Sequence, residues 1–164
     1  MIFLTVGTEL PFDRLVQAVD EIAGRGVLGE EWFAQIGDSR YKPLHLPWVA
    51  SMEGHHFDQR LCECNAIISH AGIGTILKAV QLQKPVLVMP RLRRYGEHVN
   101  DHQLATARKF EMQGKILVAY SPGELLLRLE QLHAFRSSAQ MDGAERMAEC
   151  IHQFLSGLEE DAAD

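Results

Sequence analysis

Short apolar runs alternate along the chain with segments whose apolar residues recur at helical spacing. The strand-like runs cover residues 2–6, 31–36, 43–49, 66–69, 85–89 and 116–118, the third being the weakest. The helical segments cover residues 13–24, 57–64, 76–83, 100–113, 122–133 and 139–156. Strands that alternate with helices predict a parallel sheet with helices on both faces. The pattern therefore predicts an α/β, Rossmann-like domain whose ligand site lies at the carboxyl ends of the strands.

Two of the helices begin with recognisable start signals. Asp13 precedes the apolar positions of the first helix, and we expect it as the N-cap or as an acid in the first turn. Ser121 and Pro122 are typical of the N-cap and first position of the fifth helix.

The segment 139–156 has an apolar face at helical spacing. The residues of that face are Met141, Ala144, Met147, Ala148, Ile151, Phe154 and Leu155. We expect one domain over residues 1–156, in which this C-terminal amphipathic helix either packs on the rest or lends part of its face to a partner protein. The acidic residues 157–164 are expected to form a disordered tail.

The composition is that of an ordinary folded domain with an acidic surplus. Lys and Arg number 16 against 22 Asp and Glu, a formal net charge of −6. A general nucleic-acid binder would carry a basic surplus, so that class is disfavoured. Three cysteines without paired spacing indicate reduced thiols, and Cys62-x-Cys64 lacks the second pair that a zinc site needs. No apolar stretch reaches the length of a membrane span, and residues 1–8 predict a strand rather than a signal peptide.

The strongest chemical signal is the turn after the fourth strand, His70-Ala-Gly-Ile-Gly-Thr75. Its glycines let a ligand approach the backbone, and the following helix directs free N–H groups and a positive dipole end at that ligand. With the Thr75 hydroxyl and the His70 ring, the turn suits a diphosphate. The alternative is a tight turn without a ligand. The sequence matches neither the six-residue dinucleotide fingerprint nor a P-loop, which disfavours a Rossmann oxidoreductase.

Three segments in this order resemble the C-terminal, donor-binding domain of family 28 glycosyltransferases: His70–Thr75, Lys84–Pro90 and Asn100–Gln103. The opening segment Phe3–Thr8, with Pro11–Leu15, makes the chain similar to the stand-alone catalytic subunits of two-chain UDP-sugar transferases. The loop that precedes Asn100 is similar to that of the bacterial exopolysaccharide branch of the family.

The resemblance implies the C-terminal half of a GT-B type enzyme, in which two Rossmann domains face each other across a cleft. The implied reaction moves a hexosyl group from a UDP-sugar to a lipid-linked saccharide in exopolysaccharide or capsule synthesis. This chain would bind the donor, and a membrane-anchored acceptor-lobe subunit would be its partner. We then expect a cytoplasmic protein, peripheral at the inner membrane through that partner and active only with it. No cofactor is implied, and the absence of an Asp-x-Asp motif agrees with metal independence.

The resemblance also transfers the donor contacts to positions of this sequence. The diphosphate contacts fall on Gly7, Thr8, His70, Gly72, Gly74 and Thr75. The sugar contacts fall on Asn100–Gln103, where the Gln103 amide offers donors and acceptors to hydroxyls and His102 is alternatively a partner in the helix start. The base is expected near Trp48 and Met52, mainly on backbone groups, and Trp48 is alternatively a core aromatic.

A lysine, Lys78, stands where the family places its ribose-binding glutamate. An ammonium group cannot accept hydrogen bonds from ribose hydroxyls. Either another group binds the ribose, or Lys78 reaches a phosphate, or nucleotide binding is weakened. The last possibility favours a second function, a non-catalytic regulatory subunit that enhances a separate glycosyltransferase. Thr106, where many relatives carry asparagine, is a further departure.

The loop after the fifth strand carries basic and titratable groups. Arg91, Arg93 and Arg94 are either solvated or a counter-charge for an anionic donor or for the lipid diphosphate of the acceptor. Glu97 and His98 are candidates for contact with the donor sugar or for action across the cleft, and histidine is the side chain that titrates near neutrality.

The implied catalysis is electrostatic. Turn amides, His70 and Thr75 stabilise the leaving diphosphate, and His98 is the third catalytic candidate. The general base for the acceptor hydroxyl is assigned to neither chain. A nucleotide-sugar epimerase is a further alternative, which the length of 164 residues disfavours.

Overall fold

The computed structural model describes residues 1–26, 28–132 and 134–135. The predicted C-terminal helix at 139–156 and the acidic tail at 157–164 lie outside the described residues.

The strands of the described chain form one parallel sheet in the order β3-β2-β1-β4-β5-β6. They are β1 (Ile2–Thr5), β2 (Trp32–Gln35), β3 (Trp48–Val49), β4 (Ala66–His70), β5 (Val86–Met89) and β6 (Leu117–Val118). This order confirms the predicted Rossmann-like sheet. The chain reverses its direction of progress between β1 and β4, and parallel sheets bind ligands at such a switch point.

Five α-helices connect or follow these strands in the described chain. They are α1 (Asp13–Gly24), α2 (Gly54–Glu63), α3 (Ile73–Gln81), α4 (His102–Met112) and α5 (Leu125–Leu132), with 3-10 turns at Arg93–Tyr95 and Pro122–Glu124. None of the helices described combines the length and the apolarity needed to cross a bilayer.

Helices cover both faces of the sheet because consecutive strand residues point to opposite sides. In β1, Leu4 packs into a core with α1 and α5 residues such as Val16 and Leu129. Phe3 packs on the other side, with α3 and α4 residues such as Ile76. The central strands are buried on both faces, which explains their continuous apolar sequences.

The third strand is much shorter than predicted. Only Trp48–Val49 pairs with β2, whereas the apolar pattern predicted a strand over 43–49. Pro43 and Pro47 have no N–H to donate to a neighbouring strand. The Asp20 carboxylate also captures the backbone amides of Leu44 and His45, at 2.9 and 2.8 Å, and so holds this segment as a loop.

Helix α3 begins three residues earlier than predicted. Gly72 takes the N-cap position with an extended backbone, and Ile76 N–H donates the first helical hydrogen bond to its carbonyl, at 3.2 Å. Gly74 and Thr75 therefore lie in the first helical turn rather than in a loop before it.

The two predicted start signals have different outcomes. Phe12 takes the N-cap position of α1, and Asp13 is the acid in its first turn, where its carboxylate accepts the Tyr41 amide at 2.9 Å. Ser121 precedes the 3-10 turn that leads into α5, with Pro122 at its first position as predicted. The Ser121 hydroxyl donates to Glu124 instead of capping a backbone amide.

Buried Asp20 fastens the loop between β2 and β3 to α1. Its carboxylate accepts the two backbone amides and the Tyr41 hydroxyl, at 2.8 Å, and also contacts the His45 ring. Burial alone would raise the pKa of Asp20, but the hydrogen bonds from Leu44, His45 and Tyr41 outweigh it and lower the pKa.

We predict that Asp20→Ala lowers the free energy of unfolding by about 2–4 kcal/mol, because it leaves buried N–H groups without an acceptor. Urea denaturation measures the change. The matched control is Glu21→Ala on the exposed neighbour, which loses only a contact with Gln17 and should cost less than about 0.5 kcal/mol. Equal losses for both variants would contradict the anchoring role of Asp20.

The turn between β4 and α3 depends on glycine at one position. An added Cβ at Gly72 would lie 2.2 Å from His70 Nε2, whereas a Cβ at Gly74 would meet nothing within 4 Å. We therefore predict that Gly72→Ala destabilises the fold by about 1–3 kcal/mol. Gly74→Ala should be neutral or stabilise by up to about 1 kcal/mol, because alanine favours a helix. Thermal unfolding of the pair tests this, and equal stabilities would exclude the steric argument.

Candidate functional site

A cavity of about 460 Å³ opens at the switch point of the sheet. It is lined by Val6, Gly7, Thr8, Glu9, Leu10, His70, Gly72, Ile73, Gly74, Thr75, Arg91, His98, His102 and Gln103. The loops after β1, β4 and β5 and the start of α4 all contribute, because the carboxyl ends of parallel strands meet at one edge. The structure thus brings together most of the site residues expected from the sequence.

The first turn of α3 presents free hydrogen-bond donors at this cavity. Because the first helical bond runs from Ile76 to Gly72, the amides of Ile73, Gly74 and Thr75 have no acceptor within the helix. The Thr75 hydroxyl makes no hydrogen bond to the described part of the chain. These groups and the helix dipole favour an anion.

The His70 ring lies between the two glycine-bearing loops. An added Cβ at Gly7, which has a φ of +74°, would come within 3.0 Å of this ring, so both loops need glycine beside it. Burial and the Arg91 charge lower the pKa of His70 to about 4, although a backbone hydrogen bond with Thr5 opposes them. His70 is therefore neutral at pH 7, with its one N–H directed at the Thr5 carbonyl and a lone pair on its other ring nitrogen.

Arg91 is buried, which excludes the interpretation of this residue as part of a solvated loop. Its guanidinium donates to the carbonyls of Val6, Leu10 and Pro11 at 2.6–2.7 Å, and only 2% of the residue is exposed. Burial lowers its pKa to about 10, so the group stays charged at neutral pH. The side chain points inward from the loop after β5, and its hydrogen bonds connect this loop to the loop after β1.

The other two arginines of the loop point elsewhere. Arg93 and Arg94 are exposed, and neither lines the cavity. The Arg94 guanidinium lies 4.8 Å from the Tyr95 ring centre.

Gln103 lines the cavity although only 5% of it is exposed. Its Oε1 accepts the Arg91 backbone amide at 3.2 Å. The amide NH₂ makes no hydrogen bond to the described residues. The side chain therefore offers the cavity mainly donors, rather than the equal mixture that the sequence suggested.

His98 and His102 contribute the outer wall, and their ring centres are 4.4 Å apart. Asn100 lies between them in the chain, is exposed and contacts both rings rather than lining the cavity itself. Burial and the nearby His98 lower the pKa of His102.

Two predicted charged residues do not face the cavity. Glu97 forms a bidentate ion pair with Arg14, at 2.7 and 2.8 Å, and accepts the Leu92 amide at 2.9 Å. Its carboxylate thereby organises the β5 loop. Lys78 donates to Asp58 on α2 at 2.5 Å and lies on the exposed face of α3. The ion pair holds its ammonium group away from the first turn of the helix.

The residues expected near the base also lie outside the cavity lining. Trp48 is 36% exposed and contacts the Lys42 ammonium, with 5.1 Å to the ring centre, so it is not a core aromatic. Met52 lines a separate cavity of about 350 Å³, with Phe33 and Arg60 among its walls.

Three site features had little or no sequence signal. Glu9 and Leu10 line the cavity because they continue the loop after Gly7. Arg14 braces the site from α1 through Glu97 and the Pro90 carbonyl, at 3.0 Å. A basic residue in a first helical turn does not by itself predict a long-range ion pair.

One group of residues in the described chain has metal-ligating side chains close together. Glu53, His55 and His56 begin α2, and their ligand atoms lie within 4.8 Å of one another. All three are exposed and outside the cavity, so they do not alter the expectation of a metal-independent site.

Comparisons with known proteins identify the family and the fold. Residues 1–154 match the model of the glycosyltransferase family 28 C-terminal domain. The solution structure of ALG13 superposes with a TM-score of 0.64 at 18% identity, over 92% of this chain and 93% of ALG13.

Two longer proteins share the fold. MurG from Acinetobacter baumannii gives a TM-score of 0.53 at 19% identity, over 92% of this chain and 49% of MurG. The glycosyltransferase VinC in complex with dTDP gives 0.52 at 22% identity, over 81% of this chain and 33% of VinC. The chain therefore spans a third to a half of these enzymes.

These likenesses identify the fold as that of one lobe of GT-B glycosyltransferases, and the family model covers almost the whole chain. The chain accordingly belongs to glycosyltransferase family 28, as a C-terminal domain of that family.

Proposed function

We propose that this chain is the donor-binding, catalytic subunit of a two-component glycosyltransferase. It moves a hexosyl group from a UDP-sugar to a lipid-linked saccharide in exopolysaccharide or capsule synthesis. The observation that carries the proposal is the first turn of α3. Its three backbone amides that have no acceptor within the helix lie at the cavity, beside the buried Arg91.

The charge distribution around the cavity supports a diphosphate ligand. The Arg91 guanidinium binds three carbonyls, and no carboxylate of the described chain lies within ion-pair distance of it. Its positive charge is therefore not neutralised by direct contact and adds to the dipole of α3. VinC, which has the same fold, forms a crystalline complex with the nucleoside diphosphate dTDP.

The position of Gln103 supports a sugar next to the diphosphate. Its NH₂ group is held in place by the hydrogen bond at Oε1 and faces a cavity that His98 and His102 also line. Fixed amide donors of this kind suit the hydroxyls of a hexose. His98, the third catalytic candidate, stands on the same wall.

The proposed chemistry is displacement at the anomeric carbon. The acceptor hydroxyl oxygen bonds to that carbon as the bond to the diphosphate breaks, and the hydroxyl proton passes to a base. The α3 amides and Thr75 donate to the diphosphate as its negative charge grows, and the neutral His70 ring lies beside them. The acceptor-lobe partner supplies the other wall of the cleft and the attachment to the membrane.

A regulatory subunit without catalytic activity is the second candidate. It is favoured by Lys78, which occupies the expected ribose position yet is paired with Asp58. In that case the cavity would bind no donor, with or without the partner.

We predict that UDP binds the isolated chain or its complex with the partner, and that Thr75→Ala weakens this binding about 5- to 20-fold by removing a hydrogen bond to a charged group. Titration calorimetry measures the affinity. Lys78→Ala is the matched control, because Lys78 lies on the same helix but pairs away from the cavity, and it should leave the affinity unchanged. Absence of binding in both preparations would instead support the regulatory function.

We predict that His70 makes stability depend on pH below neutrality. Its pKa is about 4 in the fold and 6.5 in the unfolded chain, so the unfolded state binds more protons between these values. Stability should fall as pH drops from 6.5 to 4, by about 3 kcal/mol from this residue.

His70→Gln tests this prediction because glutamine does not titrate. Urea denaturation between pH 4 and 7 should show a shallower pH slope for the variant, whatever its absolute stability. Parallel slopes for the variant and the native sequence would show that His70 is not held neutral.

A further inference from the structure

Asn100 contacts two histidines of the cavity wall through different atoms. Its backbone N–H points at His98 Nδ1, at 3.5 Å, and its Oδ1 lies against His102. The two rings meet edge to face with centres 4.4 Å apart, and both line the cavity.

The contacts of Oδ1 favour one position for the ring proton of His102. The side-chain atom lies 3.3 Å from the His102 backbone N–H, which can only donate, so this atom is the oxygen of the amide. The same oxygen contacts His102 Nδ1 and can only accept. His102 Nδ1 therefore carries a hydrogen, and in the neutral ring Nε2 holds a lone pair.

The backbone of Asn100 favours the opposite arrangement in His98. An amide N–H donates to His98 Nδ1, so this nitrogen holds the lone pair. In the neutral ring the hydrogen then lies on Nε2.

We infer that Asn100 is a positioning residue that holds His98 and His102, two residues of the cavity wall, in opposite tautomers, with a hydrogen on Nε2 of His98 and a lone pair on Nε2 of His102. The ligand group that this pair suits is a hydroxyl, which accepts from His98 and donates its own hydrogen to His102. The part of the inference that concerns the ligand, called the ligand half below, rests on the proposed function. It assigns the hydroxyl to the hexose of the donor.

Most polar groups identified in the rest of the cavity are hydrogen-bond donors or cations, whereas the His102 lone pair is an acceptor. The α3 amides and the Gln103 NH₂ are donors, and Arg91 is a cation. The lining also contains the carboxylate of Glu9 and the neutral ring of His70. A sugar hydroxyl must also donate its hydrogen, and the His102 lone pair supplies an acceptor next to a donor.

The tautomers are measurable in the free protein by long-range ¹H–¹⁵N correlation spectra at about pH 8, above the ordinary pKa of histidine. His98→Gln and His102→Gln assign the two sets of ring signals. We expect an Nδ1–H pattern for His102 and an Nε2–H pattern for His98. Any other pattern in the native sequence would overturn the inference.

Two substitutions of Asn100 and one control test whether Asn100 sets the tautomer of His102. Asn100→Ala removes Oδ1 and should move His102 towards the Nε2–H form, whereas His98 keeps its partner because the backbone amide remains. Asn100→Asp retains an oxygen acceptor and should keep His102 as Nδ1–H. Asn65→Ala, at an exposed position just before β4 and so at the end of that strand opposite to the cavity, should change neither ring. An unchanged His102 in Asn100→Ala would refute the positioning role.

The ligand half is tested by calorimetry with UDP, UDP-glucose and UDP-galactose. For the sugar nucleotide that binds better, Asn100→Ala should reduce its affinity about three- to tenfold relative to UDP, while UDP binding itself is unchanged. Equal losses for UDP and the sugar nucleotide would contradict a role in reading a hydroxyl. If the native sequence binds no UDP, both the proposed function and the ligand half of this inference fail. The spectra still decide whether Asn100 sets the tautomers.

Discussion

A buried guanidinium holds the two halves of the site in one arrangement. Arg91 extends from the end of β5 and donates to three carbonyls of the loop after β1, across the switch point of the sheet. Carbonyl oxygens satisfy its N–H groups without cancelling its charge. The same contacts therefore fix the cavity wall and leave the guanidinium charge without a carboxylate partner near the N-terminus of α3.

A second layer of ion pairing supports this arrangement. Glu97 accepts both a guanidinium edge of Arg14 and the Leu92 amide, so the loop that carries Arg91 is fastened to α1. Because the Arg14–Glu97 pair is largely buried, screening by salt is weak. The acidic residue that the sequence offered as a sugar contact acts instead on the shape of the loop.

Neutral side chains complete the wall of the site. His70 is buried beside a cation and therefore stays uncharged at pH 7, which lets it pack against Gly7 and Gly72 without the cost of burying a second positive charge. Gln103, held at its oxygen, presents its NH₂ in the same cavity. Fixed dipoles of this kind need no reorganisation when a ligand's charge grows, which is the condition for electrostatic catalysis.

The sequence by itself determined the sheet, the alternation of helices and the position of the glycine-bearing turn between β4 and α3. Buried parallel strands need continuous apolar runs, and a turn such as His70–Thr75 needs small residues, so both features are encoded locally. Only the tertiary structure decided the direction of the polar side chains. Arg91 turned inward, and Glu97 and Lys78 turned to distant partners, Arg14 and Asp58. Long charged side chains have many rotamers, and the partner that selects one of them lies tens of residues away in the chain.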